Sequence, residues 1–101
     1  MSYITTVRAR LLDADPDRAR EAHNGIVARL RPRGEPLGAT THMTFARADD
    51  PRDFLGLDGW STLEGLQQFL GDPTVQKEMG SMFEGMPEVT VWAARDGWTT
   101  Y

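Results

Sequence analysis

The sequence of 101 residues has no cysteine, a single lysine and no long apolar run. Without cysteine it has no disulfide framework, no thiolate nucleophile and no cysteine-ligated zinc or iron–sulfur centre. The start, Met1-Ser2-Tyr3-Ile4, has no basic segment ahead of an apolar run. No stretch approaches the roughly 18 apolar residues of a membrane span. We therefore expect a cytoplasmic protein with no membrane partner, in keeping with the reducing compartment that an absence of cysteine fits.

Positive charge is also scarce. The chain has 11 Lys and Arg against 15 Asp and Glu, a formal net charge of −4. Nucleic-acid binding depends on clustered cations that neutralise phosphates, so we expect no nucleic-acid partner. The local group Arg29, Arg31 and Arg33 suits the negative end of a helix dipole. Arginine supplies nearly all the basic residues, and Ala, Asp and Gly are plentiful, a bias typical of a GC-rich bacterial genome.

Motifs for common cofactors are missing as well. No GxGxxG follows a predicted strand, and no Lys-Ser/Thr pair closes a phosphate-binding loop. The two histidines have no carboxylate at close ligand spacing, which makes a poor zinc or iron site. The sequence therefore predicts no metal and no bound cofactor.

Alternation of apolar and polar residues predicts four strands, at 3–11, 39–47, 53–60 and 88–95. The first helix is predicted to start at Asp15-Pro16. Asp can accept hydrogen bonds from the free backbone N–H groups of the first turn, and Pro at the first position has no N–H that would need a partner. Pro32 is expected to end that helix. A loop at 34–38 and a turn at 48–51 complete the first part of the chain.

The second helical region is predicted in two pieces. Ser61 and Glu64 fit a capping box at its start, and Gly71 can close the first piece in a left-handed conformation. The second piece restarts at Asp72-Pro73. Its apolar stripe and closing residues are Val75, Met79, Met82 and Phe83, followed by Gly85 and Pro87. The resulting order is βαββαβ in one domain over residues 1–101.

An antiparallel sheet with its helices on one face leaves the other face bare. The predicted strands are more apolar than a water-exposed sheet face requires, notably at Val7, Met43, Phe45, Leu55, Leu57, Val89 and Val91. Pairing with a second copy across a two-fold axis would cover such a face. We therefore expect a homodimer.

This order and its motifs resemble the dimeric α/β barrel superfamily, most of all its antibiotic-biosynthesis-monooxygenase-like branch. The resemblance runs from Ile4 to about Ala94. It rests on Trp60 at the end of the third strand, Ser-Thr-Leu-Glu-Gly at 61–65, an Asp-Pro start at the second helical piece, and Val-Thr-Val-Trp at 89–92. It implies a ferredoxin-like α+β fold with a four-stranded antiparallel sheet and a homodimeric barrel. Activities in the superfamily include cofactor-free oxidation of aromatic polyketides, heme degradation, polyketide cyclisation and lactone isomerisation.

The candidate catalytic residues are His23, His42 and Asn24. His23 lies in the apolar stripe of the first helix, so its ring is expected to point at the sheet. If His42 lies on the same sheet face, the two rings flank one cavity, and histidine can take and return a proton near neutral pH. Asn24 would help to fix a substrate oxygen. The alternative is that both histidines are structural. Asp58, on the third strand, could pair with an Arg or orient a His.

Five further residues are candidates for substrate binding: Trp60, Met43, Trp92, Met79 and Phe83. Flat indole rings and adaptable methionines suit the wall of an aromatic pocket, although both are also common packing residues.

Three hypotheses for the function follow from these residues and from the resemblance. The first is a cofactor-independent monooxygenase that acts on a small aromatic or polyketide-like substrate. The second is a non-oxidative cyclase or isomerase that uses the same pocket, and the third is a non-catalytic ligand-binding homodimer.

Overall fold

The computed structural model describes residues 2–101. The strands are β1 (Tyr3–Leu11), β2 (Ala39–Arg47), β3 (Asp50–Trp60) and β4 (Phe83–Ala93). The helices are α1 (Pro16–Gly34), α2 (Leu63–Leu70) and α3 (Pro73–Gly80), with a short 3-10 turn at Glu35–Leu37. The strands form one antiparallel sheet in the order β2-β3-β1-β4. The predicted βαββαβ ferredoxin-like fold is confirmed.

The core lies between the helices and one face of the sheet. Side chains alternate between the two faces of a strand, so the register decides which residues meet the helices. Val7 pairs with Gly56, and Asp58 pairs with both Thr5 and His42, so all of these share the helix-covered face. The buried apolar residues on this side are Val7, Ile26, Leu30, Phe54, Trp60, Leu66, Val75 and Phe83.

The opposite face, which we call the open face, carries apolar residues without cover within residues 2–101. Its members are Ile4, Met43, Phe45, Leu55, Leu57 and Trp92. Val7, expected among the residues that need cover, is instead buried under the helices. Val89 and Val91 have the parity of Val7 but stay exposed, on the edge strand β4.

The predicted end of the first helix was wrong. Pro32 lies inside α1, which continues to Gly34, and the backbone N–H of Glu35 still donates to the carbonyl of Arg31. A proline so near a C-terminus removes only one backbone bond, and the remaining turn can close around it. The chain then forms a 3-10 turn where a loop was expected, and Gly38 ends it with φ of 105°.

The predicted caps of α2 also need correction. Thr62, and not Ser61, is the N-cap, because its side-chain oxygen accepts from the N–H of Gly65. The Ser61 hydroxyl instead donates to the carbonyl of Gly38. Gly71 does end α2, but with φ of −81° it is not left-handed. The restart of α3 at Asp72-Pro73 is confirmed, with Asp72 accepting from the N–H of Thr74.

The last strand begins five residues earlier than predicted. Phe83, Gly85 and Pro87 belong to β4 and not to the end of a helix. Phe83 pairs with Leu11, and Gly85 takes φ of 77° where the β1–β4 register shifts. Helix-breaking residues at this bulge therefore hid a strand that continues on both sides of it.

Candidate active site

The fold brings the two histidines together. His23 lies one turn before Ile26 and Val27 on the sheet-facing side of α1, and its ring centroid is 6.1 Å from that of Phe54. His42 lies on β2, on the helix-covered face. The Nε2 atoms of the two histidines are 2.9 Å apart, and their ring planes differ by 18°. The centroids are 5.1 Å apart, so the rings meet edge to edge through their Nε2 atoms.

Asp58 holds the other side of the His42 ring. It is the direct cross-strand partner of His42, and its Oδ1 is 2.6 Å from His42 Nδ1. An ionised carboxylate only accepts hydrogen bonds, so His42 Nδ1 donates this one. The hydrogen bond to Asp58 raises the pKa of His42 above its ordinary value of 6.5, against the opposing effect of partial burial.

Asn24 lies at the outer end of the same chain of contacts. Its Oδ1 is 2.9 Å from His23 Nδ1, and its side chain is exposed. Asn24 therefore contacts a histidine and does not line the cavity described next. With Asp58 at one end and Asn24 at the other, four polar side chains form one continuous line, Asp58–His42–His23–Asn24.

A cavity of about 420 Å³ lies between helix and sheet, beside this line. A volume of this size is typical of small-molecule sites. His23, His42 and Asp58 contribute polar groups to its wall. The rest is largely apolar and aromatic, with Val7, Ile26, Leu30, Phe54, Phe69 and Met82 among the lining residues. The arrangement places a hydrogen-bonded pair of histidines at the edge of an apolar space.

Trp60 lines the cavity and carries an unpaired buried polar atom. The residue is only 2% exposed, and its ring packs against Phe69 with centroids 5.1 Å apart. Its Nε1 is the one buried side-chain polar atom within residues 2–101 that has no hydrogen-bond partner. A buried unpaired N–H costs about 1–3 kcal/mol, so a ligand oxygen that reached it would recover that energy.

Among the predicted binding residues, Trp60, Met79 and Phe83 line this cavity. Met43 and Trp92 lie on the open face instead, at 50% and 52% exposure. Trp92 Nε1 donates to Thr6 Oγ1 at 2.9 Å, so this indole is already partnered. The cavity therefore draws on one side of the sheet only.

The carboxylate at this site was foreseen only as one of two options for Asp58. Sequence alone did not give the β2–β3 register, which places Asp58 opposite His42. The aromatic residues Phe54 and Phe69 were not singled out. In the sequence they show only the helical or strand periodicity of apolar residues, which also marks ordinary core residues.

Comparison with known proteins supports the fold. No protein-family model matches the sequence, and no curated protein matches it either. Solved structures do match: SnoaB, a cofactor-independent oxygenase from Streptomyces nogalater, superposes with a TM-score of 0.69 at 13% identity, over 95% of this chain and 96% of that one. A structure described as an antibiotic biosynthesis monooxygenase gives 0.68 at 11% identity, over 92% of this chain and 98% of the other.

A third structure, Rv0793 from Mycobacterium tuberculosis, matches with a TM-score of 0.60 and 19% identity, over 98% of this chain and 100% of its own. The predicted resemblance is therefore confirmed at the level of the fold, which is that of antibiotic-biosynthesis-monooxygenase-like structures. At such low sequence identity the structural matches establish the fold alone, and the reaction has to be argued from the site. No helix among the described residues is long and apolar enough to cross a membrane.

Proposed function

We propose that the protein is a cofactor-independent monooxygenase that acts on a small, fused-ring aromatic substrate bearing an acidic hydroxyl group. The observation that carries this proposal is the hydrogen-bonded pair His23–His42 at the wall of an apolar cavity. The oxygenase activity of SnoaB, which has the same fold, supports it.

The histidine pair would ionise the substrate. In the neutral pair, His42 carries its proton on Nδ1 and donates this N–H to Asp58. Its Nε2 therefore has a free lone pair. A substrate oxygen seated between the two Nε2 atoms would give its proton to His42 and accept an N–H from His23. The resulting phenolate would then be held by two N–H donors, and the 2.9 Å contact between the rings would open to admit it. Proton transfer of this kind typically contributes 10²–10⁴ in rate.

The oxidation itself would use electrons from the substrate. An aromatic enolate with a ring CH₂ tautomer can reduce dioxygen and supply both electron pairs itself. One oxygen atom becomes a carbonyl oxygen on that carbon, and the other leaves as water with the two hydrogens of the CH₂ group. Trp60 would pack against the substrate ring and donate its unpaired Nε1–H to a substrate oxygen.

The size of the cavity limits the substrate. A protein cavity of roughly 150 Å³ holds one benzene ring. By that measure a cavity of about 420 Å³ accommodates two or three fused rings. The aromatic lining residues Phe54, Phe69 and Trp60 suit a flat substrate.

Anthrone, a three-ring ketone that tautomerises to a phenol and has one ring CH₂, is a suitable probe. We expect the wild-type protein to consume one dioxygen per anthrone and to release no hydrogen peroxide, measured with an oxygen electrode and a peroxide assay. 10,10-Dimethylanthrone, which lacks the two reacting hydrogens, should give no uptake. His42→Ala should lower the rate of oxygen uptake about 10²–10⁴-fold and leave the circular dichroism spectrum unchanged.

The same histidine pair also favours the non-oxidative alternative, because acid–base chemistry needs no dioxygen. Hydrogen–deuterium exchange at the anthrone CH₂, followed anaerobically by NMR, separates the two reactions. Exchange that depends on His42 without oxygen uptake would establish proton transfer alone, as in a cyclase or isomerase. Saturable binding with neither exchange nor uptake would leave a ligand-binding protein and would overturn the proposed reaction.

We also propose that the protein is a homodimer formed through the open face. Its apolar side chains Met43, Phe45 and Trp92 are exposed in the part of the chain that the structure describes. An identical face supplies a matching apolar surface across a two-fold axis. Light scattering after gel filtration should give twice the mass of the chain. Phe45→Lys should give a monomer, whereas Thr44→Lys, one residue away on the other face, should not. A monomeric wild type would refute the proposal.

A further inference from the structure

We propose that Asp58 and Asn24 are positioning residues at the two ends of a proton line, Asp58–His42–His23–Asn24, which stores one extra proton and passes it between cavity and solvent. Only the consequence for turnover rests on the proposed oxygenase function. The state of the line itself can be tested without any substrate.

The first step of the argument is the fixed end of the line. Asp58 Oδ1, 2.6 Å from His42 Nδ1, keeps that nitrogen protonated whenever the carboxylate is ionised. The atom of His42 that gains or loses a proton is therefore Nε2, which faces His23 at 2.9 Å. Asp58 thus directs the basic nitrogen of His42 towards the other imidazole.

The second step is a count of protons. Two Nε2 atoms at 2.9 Å form a hydrogen bond only if one proton lies between them. If His42 is the donor, it carries both ring protons and a positive charge, balanced by Asp58. His23 then has its own proton on Nδ1, where Asn24 Oδ1 accepts it. The placement of Oδ1 at 2.9 Å from His23 Nδ1 therefore matches the protonated state of the pair.

The third step is what happens when the pair loses its extra proton. The proton that stays between the two rings is then bound to His23 Nε2, and His23 Nδ1, now without a proton, becomes an acceptor. A carbonyl oxygen can no longer pair with it, so the Asn24 amide must turn over and present its NH₂ group. Asn24 is exposed on α1, so its amide can meet water in either orientation. Its side chain would therefore report the charge of the pair and provide the exchange point with water.

The surroundings leave Asp58 as the dominant charge on the pair. From α1 and the following turn, Arg31 and Glu35 also line the cavity, but they form an ion pair with each other. From β1, Thr5 lies opposite Asp58 and carries no charge. The faces of α2 and α3 contribute Phe69 and Met79. The partial exposure of the His42 and Asp58 side chains, 35% and 29%, allows solvent screening but leaves the hydrogen bond intact.

The test is ¹H–¹⁵N NMR of the two imidazoles across a pH titration of the wild-type protein. We expect His42 Nδ1 to stay protonated throughout, and one proton to be lost in a step that shifts His42 and His23 resonances together. The Asn24 amide resonances should change in the same step. Independent titration of the two rings, or a His42 that gives up its Nδ1 proton, would overturn the proposal.

Three variants sharpen the test. Asp58→Asn should lower the His42 pKa, because the hydrogen bond to the carboxylate is the main cause of its raised value. Asp53→Asn, on the same strand but paired with Arg8 on the opposite face, should leave it unchanged. Asn24→Ala removes the acceptor of the His23 Nδ1–H, so it should change the ¹⁵N shift of His23 Nδ1 in the protonated state while the His42–Asp58 signals remain. Equal titrations in Asp58→Asn and Asp53→Asn would show that Asp58 is only structural.

Failure of this proposal can be told apart from failure of the proposed function. If the NMR step is as expected but anthrone and its relatives are not oxidised, the proton line stands and the oxygenase does not. If oxygen uptake depends on His42 but the rings titrate independently, the oxygenase stands and the line is refuted.

Discussion

The His42–Asp58 pair should make the stability of the protein depend on pH near neutrality. Asp58 raises the folded-state pKa of His42 above the value of 6.5 expected in the unfolded chain. The protonated imidazole therefore binds its proton more tightly in the folded state. The stabilisation is fully present below pH 6.5 and is lost as the pH rises through the folded-state pKa.

The magnitude follows from the contact and its exposure. A hydrogen bond to a charged group contributes about 1.5–3 kcal/mol when buried. The two side chains are 35% and 29% exposed, so solvent screening reduces the charge-dependent part to about 1 kcal/mol. For a domain of this size that corresponds to a shift of about 4–8 °C in Tm.

The assay is urea unfolding of the wild type and Asp58→Asn at pH 6 and pH 9, at one protein concentration. The difference in free energy of unfolding between the two proteins should be about 1 kcal/mol larger at pH 6. Asp53→Asn is the matched control: its salt bridge with Arg8 lowers the pKa of Asp53, so that carboxyl does not titrate in this range. If the Asp58→Asn difference is the same at both pH values, the reasoning is refuted.

Other changes test the scaffold and the cavity. Leu66→Ala empties a fully buried site and should cost about 2–5 kcal/mol in urea unfolding. Gly65→Ala would place a Cβ 1.7 Å from the carbonyl oxygen of Leu37, so α2 must move and unfolding should become at least about 1–3 kcal/mol easier. Trp60→Phe removes the unpaired N–H and should weaken anthrone binding about 5- to 150-fold by calorimetry, while Trp98→Phe, on an exposed indole, should not; equal affinities would remove Trp60 from the site.

Much of the fold could be predicted from local patterns. Alternation defined the strands, and the two Asp-Pro pairs defined the starts of α1 and α3, since side-chain capping depends on neighbouring residues only. Breaker residues were less reliable guides. Pro32 was tolerated in the last turns of α1, and Gly85 marked a bulge within β4 and not the end of a helix. Their effect depends on the strand or turn against which they pack.

The site could be predicted only in part. The apolar stripe of the first helix predicted that His23 faces the sheet, and this could be read from the sequence because the helical period is a local property. The contact of His42 with Asp58 depends on strand register, which the sequence of either strand alone does not specify. The missing partner of Trp60 Nε1 depends on tertiary packing, such as that of Phe69 against the indole, which the sequence around Trp60 does not specify. The catalytic roles assigned to His23, His42 and Asn24 remain predictions.

The most direct test of the account is a crystal structure with a bound fused-ring phenol that cannot be oxidised, such as 2-naphthol under anaerobic conditions. The account predicts the phenol oxygen between the two Nε2 atoms of His23 and His42, now farther apart than 2.9 Å, with the ring against Trp60. A ligand bound elsewhere, with the contact between the two imidazoles intact, would contradict it.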